Sequence, residues 1–299
     1  MQDSTTMLDH ILPKLAEQAW GKLIAELKFV PRLRRWNDPL PGQNASEWRV
    51  PKTSGGSAKT RAPGGAVTFE DRTATYETIT TQQFYDAFVT DETYESSTGI
   101  QYLESLVETA VINVVEKVET FAAQAIATQA GVGTVGTYGV AGTRAHLQTA
   151  RLAFINAKIP TNRLIAFVSG ETLEDLTNIA EFTRFDAVGA VPGNAFREGL
   201  VDRVNGFQVL ESPYVYSPAA GQHANVLADP QQVMYIFPAQ PEIPASQGRS
   251  KVQFERNGVR LYILREPLPG YNGATAITVS VNFGCKAIRT EGVINWRAR

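Results

Sequence analysis

The sequence predicts an α+β fold whose hairpin is completed by neighbouring copies of the chain, and three observations carry that reading. A polar, Gly/Pro-punctuated hairpin runs from Ala45 to Thr90, one long amphipathic helix follows from Gly99 to Ala130, and a compact α/β segment leads into a closing β-rich stretch. A solitary domain folds its polar hairpins back on its own core. Here the N-terminal arm and hairpin take up about a third of the 299 residues with little apolar surface of their own.

With 43% hydrophobic residues the chain can bury an ordinary core, and its length fits one large domain or two small ones. A net charge of −2 and a pI near 6.0 carry no positive excess of the kind tight nucleic-acid binding needs, although local basic clusters can still touch phosphate. The single cysteine, Cys285, cannot form an intrachain disulfide, and no Cys/His run has zinc spacing. Stability is therefore expected from packing and assembly. The first residues lack a basic stretch followed by an apolar one, and no run approaches the roughly 18 apolar residues of a membrane span. The expected setting is a reducing cytoplasm, with no membrane.

Leu8, Leu12, Leu15, Ala19, Leu23 and Leu27 recur at helical spacing, with Trp20 and Ile24 broadening the stripe. Pro13 suits the first turn of this helix and Pro31 its end. Lys28, Arg32, Arg34 and Arg35 behind it suit a helix C-terminus. In the hairpin, residues 45–51 and 66–80 read as extended, with Trp48 and Val50, Val67 and Phe69, and Ala74 and Tyr76 at period two. The tip between them, residues 52–65, is rich in Gly with few side chains able to anchor it. Charge is separated across it: Arg49, Lys52, Lys59 and Arg61 on one side, Glu70, Asp71 and Glu77 on the other. Such a hairpin can lay opposite charges against its neighbours in a ring, or remain a surface loop.

In the long helix, Thr98 and Gln101 stand as a capping box, and Ile100, Leu103, Val107, Val111, Val114, Val118, Phe121 and Ala125 form the expected buried stripe. Glu104, Glu108, Glu116, Glu119 and Gln124 mark its wet side. The rod is about 48 Å long at the α-helical rise, a spine that Gly131 and Gly133 stop. Next come a helix at 144–157 by pattern (Leu147, Ala150, Leu152, Ala153 and Ile155), a short strand at 163–169 and a helix at 171–179. Strands are expected at 209–210, 226–227, 233–237, 252–264, 276–283 and 285–288.

Chemistry is hard to find. Gly131, Gly133 and Gly136 match dinucleotide-binding spacing, but a helix precedes them and no acidic residue occurs between Glu119 and Glu171 to take a ribose. His10, His146 and His223 are far apart, and Cys285 reads as a core residue. No nucleophile elbow or P-loop occurs. The pairs Glu70-Asp71 and Asp91-Glu92 read as solvated charges. No catalytic residue, cofactor or metal ligand is assigned.

Two segments bear a resemblance. Ala195 to Ser212 (AFREGLVDRVNGFQVLES) resembles tailed-phage major capsid proteins, where a Gly, a short basic stretch and Gly-Phe lead into an extended segment. Val279 to Val293 (VSVNFGCKAIRTEGV) is similar to their terminal strand, with Phe283 for the usual aromatic and Thr290 for the usual proline. The P22-type coat protein is nearest, without room for that family's inserted domain. The resemblance implies the HK97-type capsid fold: an N-terminal arm (1–44), an extended hairpin or E-loop (45–90), a peripheral domain with the spine helix (91–140), an axial domain (141–244) and closing peripheral strands (245–299). It further implies a non-enzymatic shell protein in the virion head of a double-stranded DNA phage, made in the host cytoplasm. The implied partners are itself in hexamers and pentamers, a separate scaffolding protein (no long helical segment precedes the arm), a portal protein, a decoration protein and packaged DNA touched nonspecifically. Some relatives cross-link a hairpin lysine to a neighbour's asparagine. Lys59 is placed for that, with Asn282 or Asn295 as acceptors, and an ordinary surface lysine is the competing reading. Two alternatives stay open: an encapsulin-like nanocompartment, and a monomeric enzyme holding a phosphate ligand at Gly131 to Gly142.

Overall fold

The computed structural model describes residues 14, 17–18, 21, 27–36, 47–53, 60–61, 63, 66–67, 69, 74–91, 100–178, 203–239, 250–256, 259–268 and 274–299. Most of the helix expected over 8–27 lies outside them. Lys14, Glu17, Gln18 and Gly21 are helical and exposed, and the chain has left the helix by Leu27. From there it docks as an extended segment instead of forming a basic helix end: Leu27, Phe29, Val30 and Leu33 enter the main core through a 3-10 turn at Val30–Arg32, and Arg34–Arg35 (β1) joins a sheet.

β2 (Glu47–Thr53) and β3 (Ala74–Thr80) pair as the hairpin, Trp48 opposite Ile79 and Val50 opposite Glu77. Successive side chains alternate faces, so Trp48, Val50 and Ile79 are buried together. Tyr76 sits opposite Pro51 on the other face and is 63% exposed. Ala66, Val67 and Phe69 lie outside any strand; Thr68 and residues 70–73 are outside the described set. β4 (Gln82–Asp91) starts just after β3 yet pairs along its length with β14 (Ala274–Ala287). Residues 82–90, read from sequence as hairpin, are thus core sheet, because Phe84 and Phe88 share the face that packs inward.

α1 (Ile100–Ala127) is 28 residues, about 42 Å, with Thr98 outside the described residues. Its buried surface is wider than the expected stripe: Ala110, Val115, Ala122, Ala123 and Ile126 join Leu103, Val107, Val111, Val114 and Val118. The cause is position. α1 packs on β4 and β14 on one side and on β9 (Tyr216–Ala219) and β10 (Gln222–Ala228) on the other. Glu119, expected on the wet side, is 0% exposed, with the backbone of Lys28, Phe29 and Val30 lying on its carboxylate.

The first sheet also holds β11 (Val233–Ile236), β12 (Ser250–Arg256) and β13 (Val259–Pro267), in the order β1-β11-β14-β13-β12 with β4 on β14. The expected strand at 252–264 is two strands of a hairpin, Ser250 opposite Arg265 and Arg256 opposite Val259. Conversely, the two expected strands at 276–288 are one, β14 continuing through Gly284. There β14 exchanges its partner, β4 up to Phe283 and β11 from Gly284 onward.

The second sheet runs β5 (Gly133–Gly136), β15 (Val293–Ala298), β10, β6 (Ile165–Val168), β8 (Phe207–Glu211), β7 (Arg203–Val204), with β9 on β10. Its middle strands are buried on both faces. Ile165, Phe167, Val226 and Ala228 meet the core around α1; Ala166, Val168, Leu227, Ile294 and Trp296 face the core of α2 (Arg144–Asn156) and α3 (Gly170–Thr177). Thr143 and Ser169 cap these helices by accepting the His146 and Thr172 N–H groups. On α2, Leu147, Ala150 and Phe154 turn inward, while Leu152 and Ile155, of the same helical pattern, are 57% and 50% exposed. The sheets also cut across the sequence blocks: β11 leaves 141–244 for the first sheet, and β15 leaves 245–299 for the second.

A side chain at Gly284 would place its Cβ 2.8 Å from the Thr80 carbonyl oxygen and 2.8 Å from Thr81 Cγ2, where the hairpin base crosses β14. Gly284→Ala is expected to destabilise the unassembled chain by about 1–3 kcal/mol, the usual cost of overpacking, in a urea titration.

Candidate assembly surface

Pairing opposite Ile79 and Glu77 turns Trp48 and Val50 inward against Met234, Ile236 and Ile288, so the hairpin base has an apolar anchor. Glu77 adds a polar one. Its carboxylate lies 2.9 Å from Lys286 Nζ on β14 and 4.0 Å from Lys52 Nζ on β2. Lys52 and Glu77, both read from sequence as candidate contacts between subunits, thus meet within the chain. Arg49 and Arg61 are exposed, Arg49 on the outer face of β2. Lys59, Glu70 and Asp71 lie outside the described residues.

That outer surface is also apolar. Tyr76 stands on the hairpin's outer face, Phe69 nearer the tip is 93% exposed, and Val67, Tyr85 and Val89 are exposed as well. On β4 the alternation that sends Phe84 and Phe88 inward sends Tyr85, Ala87 and Val89 outward. Basic and apolar groups on the hairpin and its continuing strand form a surface that an acidic, partly apolar partner fits.

The glycine-rich segment is occupied by its own chain. Gly133–Gly136 is β5, paired in parallel with β15. Gly136, at φ +80°, faces the Arg297 carbonyl and Trp296, and a Cβ on Gly142 would stand 2.9 Å from Trp296. The Gly142 N–H donates to Asp175 Oδ2 at 2.8 Å. Gly136 and Gly142 thus admit the closing strand, and the first part of the segment is sheet rather than a phosphate-binding loop.

His146 Nδ1 accepts the Trp296 indole N–H at 3.4 Å, and His223 lies between Ser217 Oγ (2.7 Å) and Glu171 Oε2 (3.2 Å). His10 and the side chains of Asp91 and Glu92 are outside the described residues. Cys285 is buried, and burial pushes its thiol up, away from thiolate chemistry. Asn295, considered as a cross-link acceptor, is buried with its Nδ2 donating to the Ala127 carbonyl at 3.1 Å, so it cannot meet a neighbour's lysine. Asn282 is half-buried on β14 opposite Gln83.

Sequence reasoning missed Glu119. Its carboxylate accepts the backbone N–H groups of Lys28 (3.0 Å), Phe29 (3.1 Å) and Val30 (3.2 Å), fastening the arm to α1. Periodicity assigns charge to a helix's wet side, and it carries no record of where the arm returns.

No family model and no curated protein matches the chain in sequence. Solved structures do match. A structure from Mycobacterium phage Che8 is similar at TM-score 0.60 and 14% identity, over 85% of each chain. The mature capsid of bacteriophage PhiM1 gives 0.56 at 13%, over 90% of this chain and 86% of the other. The chain has the HK97-type capsid fold. A virus-like particle from Pyrococcus furiosus gives 0.57 at 11% identity, over 96% of this chain and 98% of that one.

Glu77→Lys sets a third positive charge beside Lys286 and Lys52. It is expected to speed amide exchange across the hairpin base of the unassembled chain while costing only about 1 kcal/mol globally. Arg49→Glu is expected to leave that exchange unchanged.

Proposed function

We propose that this chain is the major capsid protein of a tailed double-stranded DNA phage, closing into an icosahedral head shell. The observation that carries the reading is the match to phage capsid structures over most of both chains, together with an E-loop whose outer face is basic, apolar and exposed. Within that class the segments at 195–212 and 279–293 favour the P22-type coat group.

The work is mechanical rather than catalytic. Subunits form hexamers and pentamers, E-loops lie across adjacent subunits, and many modest contacts add up to a durable shell. Arg49 and Arg61 pair with acids of a neighbouring copy. A separate scaffolding protein guides closure, a portal protein takes one vertex, a decoration protein caps the exterior, and the interior touches packaged DNA nonspecifically. A second reading, a cellular nanocompartment of encapsulin type, is favoured by the near-complete coverage of the Pyrococcus particle.

Negative-stain electron microscopy with light scattering, on the chain expressed alone and then with its neighbouring genes, tests the proposal. Closed shells or ring-shaped capsomers are expected, and packaged DNA rather than cargo protein separates phage from nanocompartment. Monomers under both conditions would overturn it. The variant carrying Arg49→Glu and Arg61→Glu is expected to fold with an unchanged Tm but to form no shells; normal shells would refute the charge pairing.

A further inference from the structure

Glu119 is a fully buried carboxylate facing backbone dipoles rather than a cation. Its Oε1 accepts all three arm N–H groups, while Oε2 shares only the Phe29 N–H, at 3.2 Å. No lysine or arginine side chain among the described residues forms an ion pair with it. Lys28, the charged group facing it from the arm, directs its Nζ to the Glu211 carbonyl at 3.5 Å. From β14 the facing titratable group is Cys285, beside Tyr235 of β11; from the second sheet Phe167 stacks on Phe29 and brings no charge. Removing a carboxylate from water with only dipoles as compensation is costly.

We propose that Glu119 is a proton-responsive anchor for the arm: the segment from Leu27 to Leu33 is held on the spine helix through this side chain, and uptake of a proton there tightens the docking.

The geometry supplies the reason. A proton on Oε2 costs one shared contact, leaves Oε1 in place as acceptor of all three N–H groups, and cancels the buried charge. Burial pushes the carboxyl up to about 7, the three N–H groups and Lys28 pulling the other way. With the arm undocked the carboxyl meets water and returns toward its ordinary 4.5. The docked state therefore holds more protons between these values. Acidification through that window favours docking by up to about tenfold per pH unit, and above it the gain is lost.

The test is amide exchange at Lys28, Phe29 and Val30 in the full-length unassembled chain between pH 8.5 and 5.5, corrected for intrinsic rates. Wild-type protection is expected to rise roughly tenfold or more as pH falls below about 7. Glu119→Gln, which keeps Oε1 and removes the charge, should hold these amides protected at every pH with no slope, and Glu119→Ala should lose protection throughout. Flat or falling wild-type protection on acidification, which needs no variant to observe, or an equal slope in Glu119→Gln, would overturn the proposal.

Discussion

A long helix enclosed by two sheets is the constraint on which this structure depends. α1 offers β4 and β14 one side and β9 and β10 the other, so its buried stripe broadens to include Ala110, Val115, Ala122 and Ala123, while Glu108, Asn113, Glu116 and Lys117 stay exposed. Both sheets must be built from distant parts of the chain to do this. β14 near the end pairs with β4 near the beginning, and β15 threads between β5 and β10. Pairings of such sequence separation fold slowly, and they leave the chain's two halves inseparable.

The arm closes over what the sheets leave open. Where it lies on the helix, Glu119 exchanges water for the N–H groups of Lys28, Phe29 and Val30. The arm is thereby fastened at the centre of the molecule. The hairpin is fastened by a different logic, through the small cluster around Trp48 and Ile79 and the Glu77–Lys286 pair, and its outer face remains free. One end of the architecture is rigid and closed, the other presents exposed apolar and basic groups. That combination suits a subunit whose remaining contacts come from other copies.

Much of this was legible in the sequence. α1, α2, α3 and strands β6, β8 and β11 followed its apolar patterns. The return of the arm onto α1 writes no local period, and Glu119 was assigned to water. Turn chemistry was available but unread: Asn205-Gly206, at φ +50° and +90°, closes the β7–β8 hairpin. The Phe84 and Phe88 spacing on β4 already pointed to a core face, although the run reads as a continuation of the hairpin. β15 was missed because six residues carry too little alternation to stand out. Of the candidate contacts, Arg49 and Arg61 lie on the open surface, while the closeness of Lys52, Glu77 and Lys286 depends on the β14 crossing at Gly284, which no local pattern encodes.

A rigid centre with an outer face completed by other copies has a plain signature in amide exchange compared between the free subunit and the assembled particle. Protection should be high and unchanged along α1, and should rise on assembly in β2, β3 and the outward residues of β4. Equal protection of the hairpin in both states would mean that its outer face is not an interface, and would contradict the assembly reading.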